Sequence, residues 1–252
     1  GDGKLLSKLI KKTVVYDFRQ NDLKNGGHGA PLTPIFHKLL KKKFKIKDVT
    51  FVNIGGITNI TTVKDNDHMS GTDIGPGMCL IDRWVRKKVK KNYDKNGLIA
   101  KSGKVDKKAL EKLIENFNRK EKINNTSPVQ SYDTKYFDFS FVNNLSLEDG
   151  LATLTEFTAK IILTAIKKKD RYKEKIVLCG GGRKNNFLVE RLKSESNRIK
   201  LIDDYKVDGD FVESQAFAYI SVRSFLNLPI SFPETTGVKK PCLGGEIINF
   251  KE

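Results

Sequence analysis

Residues 49–63, VTFVNIGGITNITTV, read as two strands, Val49–Ile54 and Ile57–Val63, joined by Gly55-Gly56. β-Branched and aromatic side chains dominate both runs, and paired glycines tolerate the positive φ of a tight hairpin. Working outward, the acid-bearing stretch GTDIGPG, 71–77, reads as a loop that opens a helix. Ile81, Trp84, Val85, the Lys88 stem and Val89 make that helix's core face. A third glycine turn, Gly180-Gly181-Gly182, ends the apolar strand 176–179. It leads into a helix with Asn185 as N-cap and Phe187, Leu188 and Leu192 inward. Further helices are expected over 35–40, 106–118, 151–167 and, last, 211–225, with a strand over 13–18. The polar stretch 119–145 reads as irregular, and a Pro/Gly-rich tail closes the chain. Strands and helices alternate around one antiparallel hairpin, so the class is α/β with a mixed sheet.

Composition narrows what such a fold is for. The chain has 252 residues, 38% of them hydrophobic, which argues against disorder. No run approaches the roughly 20 apolar residues of a membrane helix, and no membrane role is expected. Cys79, Cys179 and Cys242 are far apart and odd in number, which suits reduced thiols in a cytoplasm rather than disulfides. His28, His37 and His68 lack metal-ligand spacing, so no metal site is expected on the chain itself. The formal charge is +17, but only nine of the 47 cations are arginine. Bare lysine runs at 41–43, 87–88 with 90–91 and 167–169 lie near the ends of apolar-periodic segments. There they suit helix dipoles and core edges better than base recognition, and nucleic acid is not an expected partner.

Three glycine turns at strand ends, each near a helix start, are the strongest chemical lead, because such turns let backbone N–H groups approach phosphate. Neither G-x-x-x-x-G-K-[ST] nor G-x-G-x-x-G is present, which disfavours P-loop and Rossmann enzymes. Asp17 ends an apolar strand before a Gly-rich turn, where a carboxylate can abstract a proton or merely start the turn. Asp73, before Gly75-Pro76-Gly77, can orient water, metal or substrate, or form an Asx-turn. Glu213, on the last helix beside Gln215, reads from its residues alone as no more than a solvated first-turn acid.

The segments VVYDFRQNDLKNGGHGAPLTPIFH, NIGGITNIT, GTDIGPG, ATLTEFTA, VLCGGGRKNNFL and ESQAFAYISVRS, in this order, resemble the anhydro-N-acetylmuramic acid kinase family. The resemblance implies an actin-like ATPase (ribonuclease H-like) lobe, its mixed sheet carrying helices on both faces. It implies a cytoplasmic enzyme of cell-wall recycling that uses ATP, with Mg²⁺, and water to convert 1,6-anhydro-N-acetylmuramic acid to N-acetylmuramic acid 6-phosphate. Asp17 aligns with the general base and Glu213 with an acid that approaches the sugar. Gly55 and Gly56 would form a phosphate hairpin. Asp73, Gly75, Pro76 and Gly77 would line the nucleotide cleft, and Gly180, Gly181 and Gly182 would contact adenosine.

Departures from the family pattern carry their own expectations. The family's first phosphate loop has no counterpart, so residues 1–46 are expected to be the tail of a first lobe, carrying Asp17. Residues 47–252 would be the second, nucleotide-binding lobe, with the helix at 211–225 packing back toward the first. Met78, Gln130 and Thr134 stand where the family has polar or basic groups. The competing expectation is therefore a catalytically inactive remnant that at most binds nucleotide weakly. A lone lobe would expose its interlobe face, and a homodimer is one assembly that would cover it.

Overall fold

Phe51, Val177 and Cys179 face one side of the main sheet, while Val52, Ile54, Ile176 and Leu178 face the other. That period-two split of two buried strands is why helices cover both faces in the computed structural model, which describes residues 1–124, 129–167 and 174–250. Residues 125–128 of the stretch expected to be irregular, and Lys168 and Lys169 of the third lysine run, lie outside the described residues.

The elements in chain order begin with α1 (Gly3–Ile10), β1 (Val14–Tyr16), α2 (Gln20–Lys24), α3 (Pro34–Phe44), β2 (Val49–Ile54), β3 (Ile57–Val63) and β4 (Met69–Pro76). Next come α4 (Cys79–Lys88), α5 (Leu98–Ser102), α6 (Lys107–Asn124) and α7 (Leu147–Lys167). The chain then runs through β5 (Lys175–Cys179), α8 (Asn186–Lys193), β6 (Ile199–Leu201), α9 (Val212–Phe225), α10 (Pro233–Thr236) and β7 (Glu246–Ile248).

The main sheet has the order β4-β3-β2-β5-β6, with β3 antiparallel to both neighbours and β2, β5 and β6 parallel. β4 therefore runs the same way as β2. Carboxyl ends of four strands share one edge, where open α/β sheets bind ligands. α3 and α9 pack on one face through Phe36, Leu40, Ala216 and Ile220. α7 and α8 cover the other through Ile162, Ile166, Leu188 and Leu192. A satellite core around Trp84, Leu113, Phe117, Val142 and Leu154 joins α4, α6 and α7. No helix among the described residues is long and apolar enough to cross a membrane.

Four expectations change. The stretch 71–77 is not a loop: it is most of strand β4, so the hairpin is part of a three-stranded meander. Its outer edge is met by residues 130–132 through one main-chain bond, Asp73 N–H to Gln130 O, and two bonds to the Thr72 and Asp73 side chains, which the acidic and glycine-broken pattern conceals. The helix expected at 106–118 runs on to Asn124, and the one expected from 151 starts at Leu147. Val89 is extended, not helical. Finally, the helix at 212–225 is followed by the short α10, and the tail contributes β7, which pairs with β1 as a two-stranded sheet. Asn185 caps α8 as expected, accepting from the Leu188 N–H at 3.0 Å.

Candidate active site

The three glycine turns lie at the carboxyl edge of the main sheet, one against Ile54 at the end of β2 and two against each other at Gly55 and Gly77. A Cβ on Gly180 would fall 2.6 Å from the Ile54 carbonyl oxygen, and one on Gly182 would fall 2.3 Å from Ile54 Cγ2. A Cβ on Gly77 would lie 2.2 Å from the Gly55 carbonyl oxygen. These glycines are there because backbones cross too closely for a side chain.

The hairpin itself works differently from its expected role. Neither Gly55 nor Gly56 takes a positive φ. Their carbonyls instead accept from the start of α4: Gly77 and Cys79 N–H donate to Gly56 O at 3.0 and 3.1 Å, and Met78 N–H to Gly55 O at 2.8 Å. The N–H groups that Gly75-Pro76-Gly77 was expected to offer a phosphate are thus already engaged at its end. Met78, as N-cap, supplies no side-chain hydrogen bond to this helix. By contrast, nothing lies within 4 Å of a Cβ placed on Gly181. That backbone is open to approach.

Beside Gly180 and Gly181 lies a cavity of about 210 Å³ that also takes in Thr33, His37, Asn53, Arg183 and Glu213. α3 contributes His37, the end of β2 contributes Asn53, and the first turn of α9 contributes Glu213. Arg183 is divided among three partners: it donates to Asp203 at 2.8 Å, to Asp210 at 2.8 Å and to the Gly180 carbonyl at 3.1 Å. Burial opposes its charge, yet the two carboxylates hold its pKa above the ordinary value; Arg183 holds that of Asp203 below, and Lys184, then Arg183, hold that of Asp210 below. His37 is 2% exposed and stacks on Phe51 at 4.6 Å. Burial lowers its pKa to about 3, so the ring is neutral at physiological pH.

Asp17 sits in a different, open cleft with Asp2, Tyr16 and Gln20. It is exposed and left-handed, with φ +55°, just past β1. The left-handed conformation turns the chain sharply from β1 towards α2, leaving the carboxylate at the rim. Asp17 is held from behind by the C-terminal segment. Tyr16 pairs with Glu246 and donates its hydroxyl to Glu246 Oε2 at 2.8 Å, and Asn21 Nδ2 donates to Leu243 O at 2.8 Å. Asp22, 1% exposed, accepts from the Gly29 N–H at 2.7 Å and the Thr236 hydroxyl at 2.6 Å. It thereby ties the 26–31 turn to α10.

Asp73 lies inside β4 opposite Asn59, not in an Asx-turn. Burial pushes its pKa up to about 6 against the pull of the Tyr132 N–H, 3.0 Å from Oδ2, and of the Arg19 charge. Gln130 contributes main-chain bonds to this edge, its N–H reaching Thr72 Oγ1 at 2.8 Å and its carbonyl the Asp73 N–H at 3.1 Å. Thr134 lies against the hairpin: its Cγ2 is 3.9 Å from a Cβ placed on Gly56. Among the described residues, no three histidine, cysteine or acidic side chains gather as a metal cage.

So the structure unites Glu213 with Gly180 and Gly181, and joins Gly55, Gly56 and Gly77 in a second corner. Asp17 stands in a cleft of its own. Asp22, Asn53 and Arg183 went unnoticed in the sequence, and His37 was weighed only as a metal ligand. Only Arg183, directly after the glycine turn, carried a local signal.

Comparison with known proteins gives a single result. The family model described as "Anhydro-N-acetylmuramic acid kinase" matches residues 1–249. A protein named anhydro-N-acetylmuramic acid kinase from Pelagibacter ubique is 51% identical over 258 residues, covering 98% of this chain and 68% of that protein. Its namesake from Zymomonas mobilis is 39% identical over 249 residues, covering 98% of this chain and 67% of that protein. For the one from Rhodospirillum rubrum the identity is 37%, with 97% of this chain and 64% of that protein covered. The chain thus spans about two thirds of the length of these relatives.

Proposed function

Since the chain belongs to the anhydro-N-acetylmuramic acid kinase family, we propose that it takes part in the ATP-dependent phosphorylation of 1,6-anhydro-N-acetylmuramic acid with hydrolytic opening of the anhydro ring. The family match over residues 1–249 carries this reading. Asp17 acts as general base, a role that an exposed carboxylate at a strand end can fill. It takes a proton from water as the water oxygen bonds to the anomeric carbon. The bond from that carbon to O6 breaks, and O6 attacks the γ-phosphoryl group, releasing ADP. The atoms of water are all accounted for: the oxygen and one hydrogen form the new hydroxyl at C1, and the other proton passes to Asp17 and then to solvent as the products leave. Catalysis of this kind rests on positioning and charge rather than on covalent help from the protein.

Gly180 to Gly182 take the adenosine side of ATP, and Gly55-Gly56 the phosphate side. Glu213 takes the sugar. Mg²⁺ fits this chain as an ion held on ATP's phosphates with one or two carboxylates and several waters, a mode that needs no protein cage. Asp73, which forms no ion pair among the described residues, would be one such carboxylate; when bound, the ion neutralises phosphate charge. In this reading residues 1–46 are the tail of a first lobe and 47–252 form the second. The helix at 211–225 reaches back toward the first lobe, a placement supported by the Phe18–Phe217 and Phe36–Tyr219 ring contacts at 5.6 and 5.9 Å. ATP use and three free cysteines suit the cytoplasm.

The test is turnover in ¹⁸O-water with ATP and the anhydro sugar. The expected product carries ¹⁸O at the anomeric hydroxyl and none in its phosphate. Asp17→Asn is expected to lower turnover by about 10²- to 10⁴-fold, the usual worth of a general base, while melting unchanged, because asparagine tolerates a left-handed φ. Label in the phosphate, or full activity of Asp17→Asn, sinks the mechanism.

A further inference from the structure

The kinase reading leaves one buried group idle. His37 lines the Glu213 cavity, is almost wholly buried, and its Nδ1 meets no hydrogen-bond partner. A buried polar atom left unpaired costs about 1–3 kcal/mol, so such atoms are rare without a water, ion or ligand to explain them. The cost is carried at the end of a sheet, beside open glycine backbone, where ligands bind.

The lining says what kind of group belongs there. Arg183, the only cation among the lining residues, is already divided between Asp203, Asp210 and the Gly180 carbonyl. Glu213 forms no ion pair among the described residues, so the free charge in the cavity is negative. A phosphate or carboxylate would be repelled. Neutral imidazole, the Asn53 amide, the Thr33 hydroxyl and the Glu213 carboxylate together offer both donors and acceptors. A hydroxyl, which donates and accepts at once, matches that mixture. The volume, about 210 Å³, is room for a handful of waters at about 30 Å³ each, which is the scale of one small ring.

We propose that this cavity binds an uncharged, hydroxyl-bearing ring, with His37 as its buried hydrogen-bonding partner. The inference rests on the kinase reading for its two sources of such a ring, the anhydro sugar and the ribose of ATP, and it adds a binding residue and a charge rule to that reading. Charged parts of either ligand lie outside this cavity.

Long-range ¹H–¹⁵N spectra of the histidine rings of this chain test it. 1,6-Anhydro-N-acetylmuramic acid, adenosine and inorganic phosphate are titrated separately. One of the two ring compounds is expected to shift the His37 nitrogens, identifying the source, while phosphate leaves them in place. His37→Phe should weaken the same compound about 10-fold, equivalent to about 1.4 kcal/mol. His37→Asn, whose amide nitrogen stands in for Nδ1, should recover most of the binding; His37→Gln, which mimics Nε2, should not. Movement of the His37 signals by phosphate alone overturns the proposal. So does binding of both rings elsewhere on the chain with His37 silent, an outcome that leaves the kinase reading standing. If neither ring shifts any residue, the kinase reading and this proposal fall together.

Discussion

Two glycine corners share the carboxyl edge of one sheet, yet they use glycine for opposite ends. At Gly77 the missing side chain is filled by protein: the Gly55 carbonyl sits 2.2 Å from where a Cβ would be, and the N–H groups of residues 77–79 are all taken. At Gly181 the missing side chain leaves open space. A glycine-rich sequence at a strand end therefore does not by itself report a ligand cradle. What separates structural from available glycine is whether neighbouring backbone already occupies its donors and its volume.

The sharpest way to break this contrast is to add one methyl group to the closed corner. In Gly77→Ala the clash is with backbone of the Gly55-Gly56 hairpin, which cannot swing aside. Loss of about 3 kcal/mol is expected, at the upper end of overpacking costs. Urea unfolding measures it. A loss under about 1 kcal/mol would mean that the hairpin yields easily and is less fixed than its hydrogen bonds imply.

The open corner is anchored by Arg183, and Arg183→Met tests that anchor. Asp203 and Asp210 are 43% and 49% exposed, so they rehydrate when the guanidinium goes. The cost should be about 1–2 kcal/mol, below the 3–5 typical of a broken buried pair. Both carboxylates have lowered pKa values in the folded chain. Their contribution is present above the unfolded carboxylate pKa and is lost as pH falls through the lowered folded values. The variant should lose the corresponding part of its acid sensitivity, read by melting from about pH 5 down to about pH 2, a range that spans the unfolded Asp value of about 3.9 and the lowered folded values beneath it.

Asp73, on the strand that leads into the closed corner, has the opposite sign. With a folded pKa raised to about 6, the folded chain keeps its proton through a window where the unfolded chain has lost it. Stability therefore falls as pH rises from about 4 to about 6. Asp82, also pushed up to about 6 by burial, adds to that slope. Asp73→Asn should melt higher than the parent at pH 7, with the difference vanishing near pH 4. An advantage that persists at pH 4 would assign the effect to packing instead.

Legibility in the sequence followed the same physical divide. The β2–β3 hairpin, the apolar strand β5, the Asn185 cap and the strand–helix alternation of a mixed α/β sheet are local patterns, and the sequence reading found them. Strand β4 escaped because Gly71 and Gly75 interrupt it, Asp73 reads as a loop residue, and its outer partner lies more than fifty residues away at 130–132. The site was legible where a motif was contiguous, as at Gly180–Gly182. It was not legible at the Glu213 cavity, whose walls come from α3, β2, the β5 end and α9, separated in sequence and joined only by folding. His37 illustrates the limit: read for metal-ligand spacing it has none, and its significance lies in burial without a partner.

The smallest expected effect on the fold is the most informative about the site. Gly181 has no positive φ and no neighbour within 4 Å of a Cβ. Gly181→Ala should leave the chain as stable as before, or stabilise it by up to about 0.5 kcal/mol through the lower entropy of the unfolded state. The same methyl group that disrupts the closed corner is thus nearly silent in the folded chain here. It should not be silent in the complex. If ATP approaches this backbone closely, the methyl stands in its way, and ATP affinity measured by calorimetry should fall while the melting temperature of the free chain holds. Unchanged affinity would mean that ATP does not approach the open corner closely, and the distinction drawn between the two would lose its functional half.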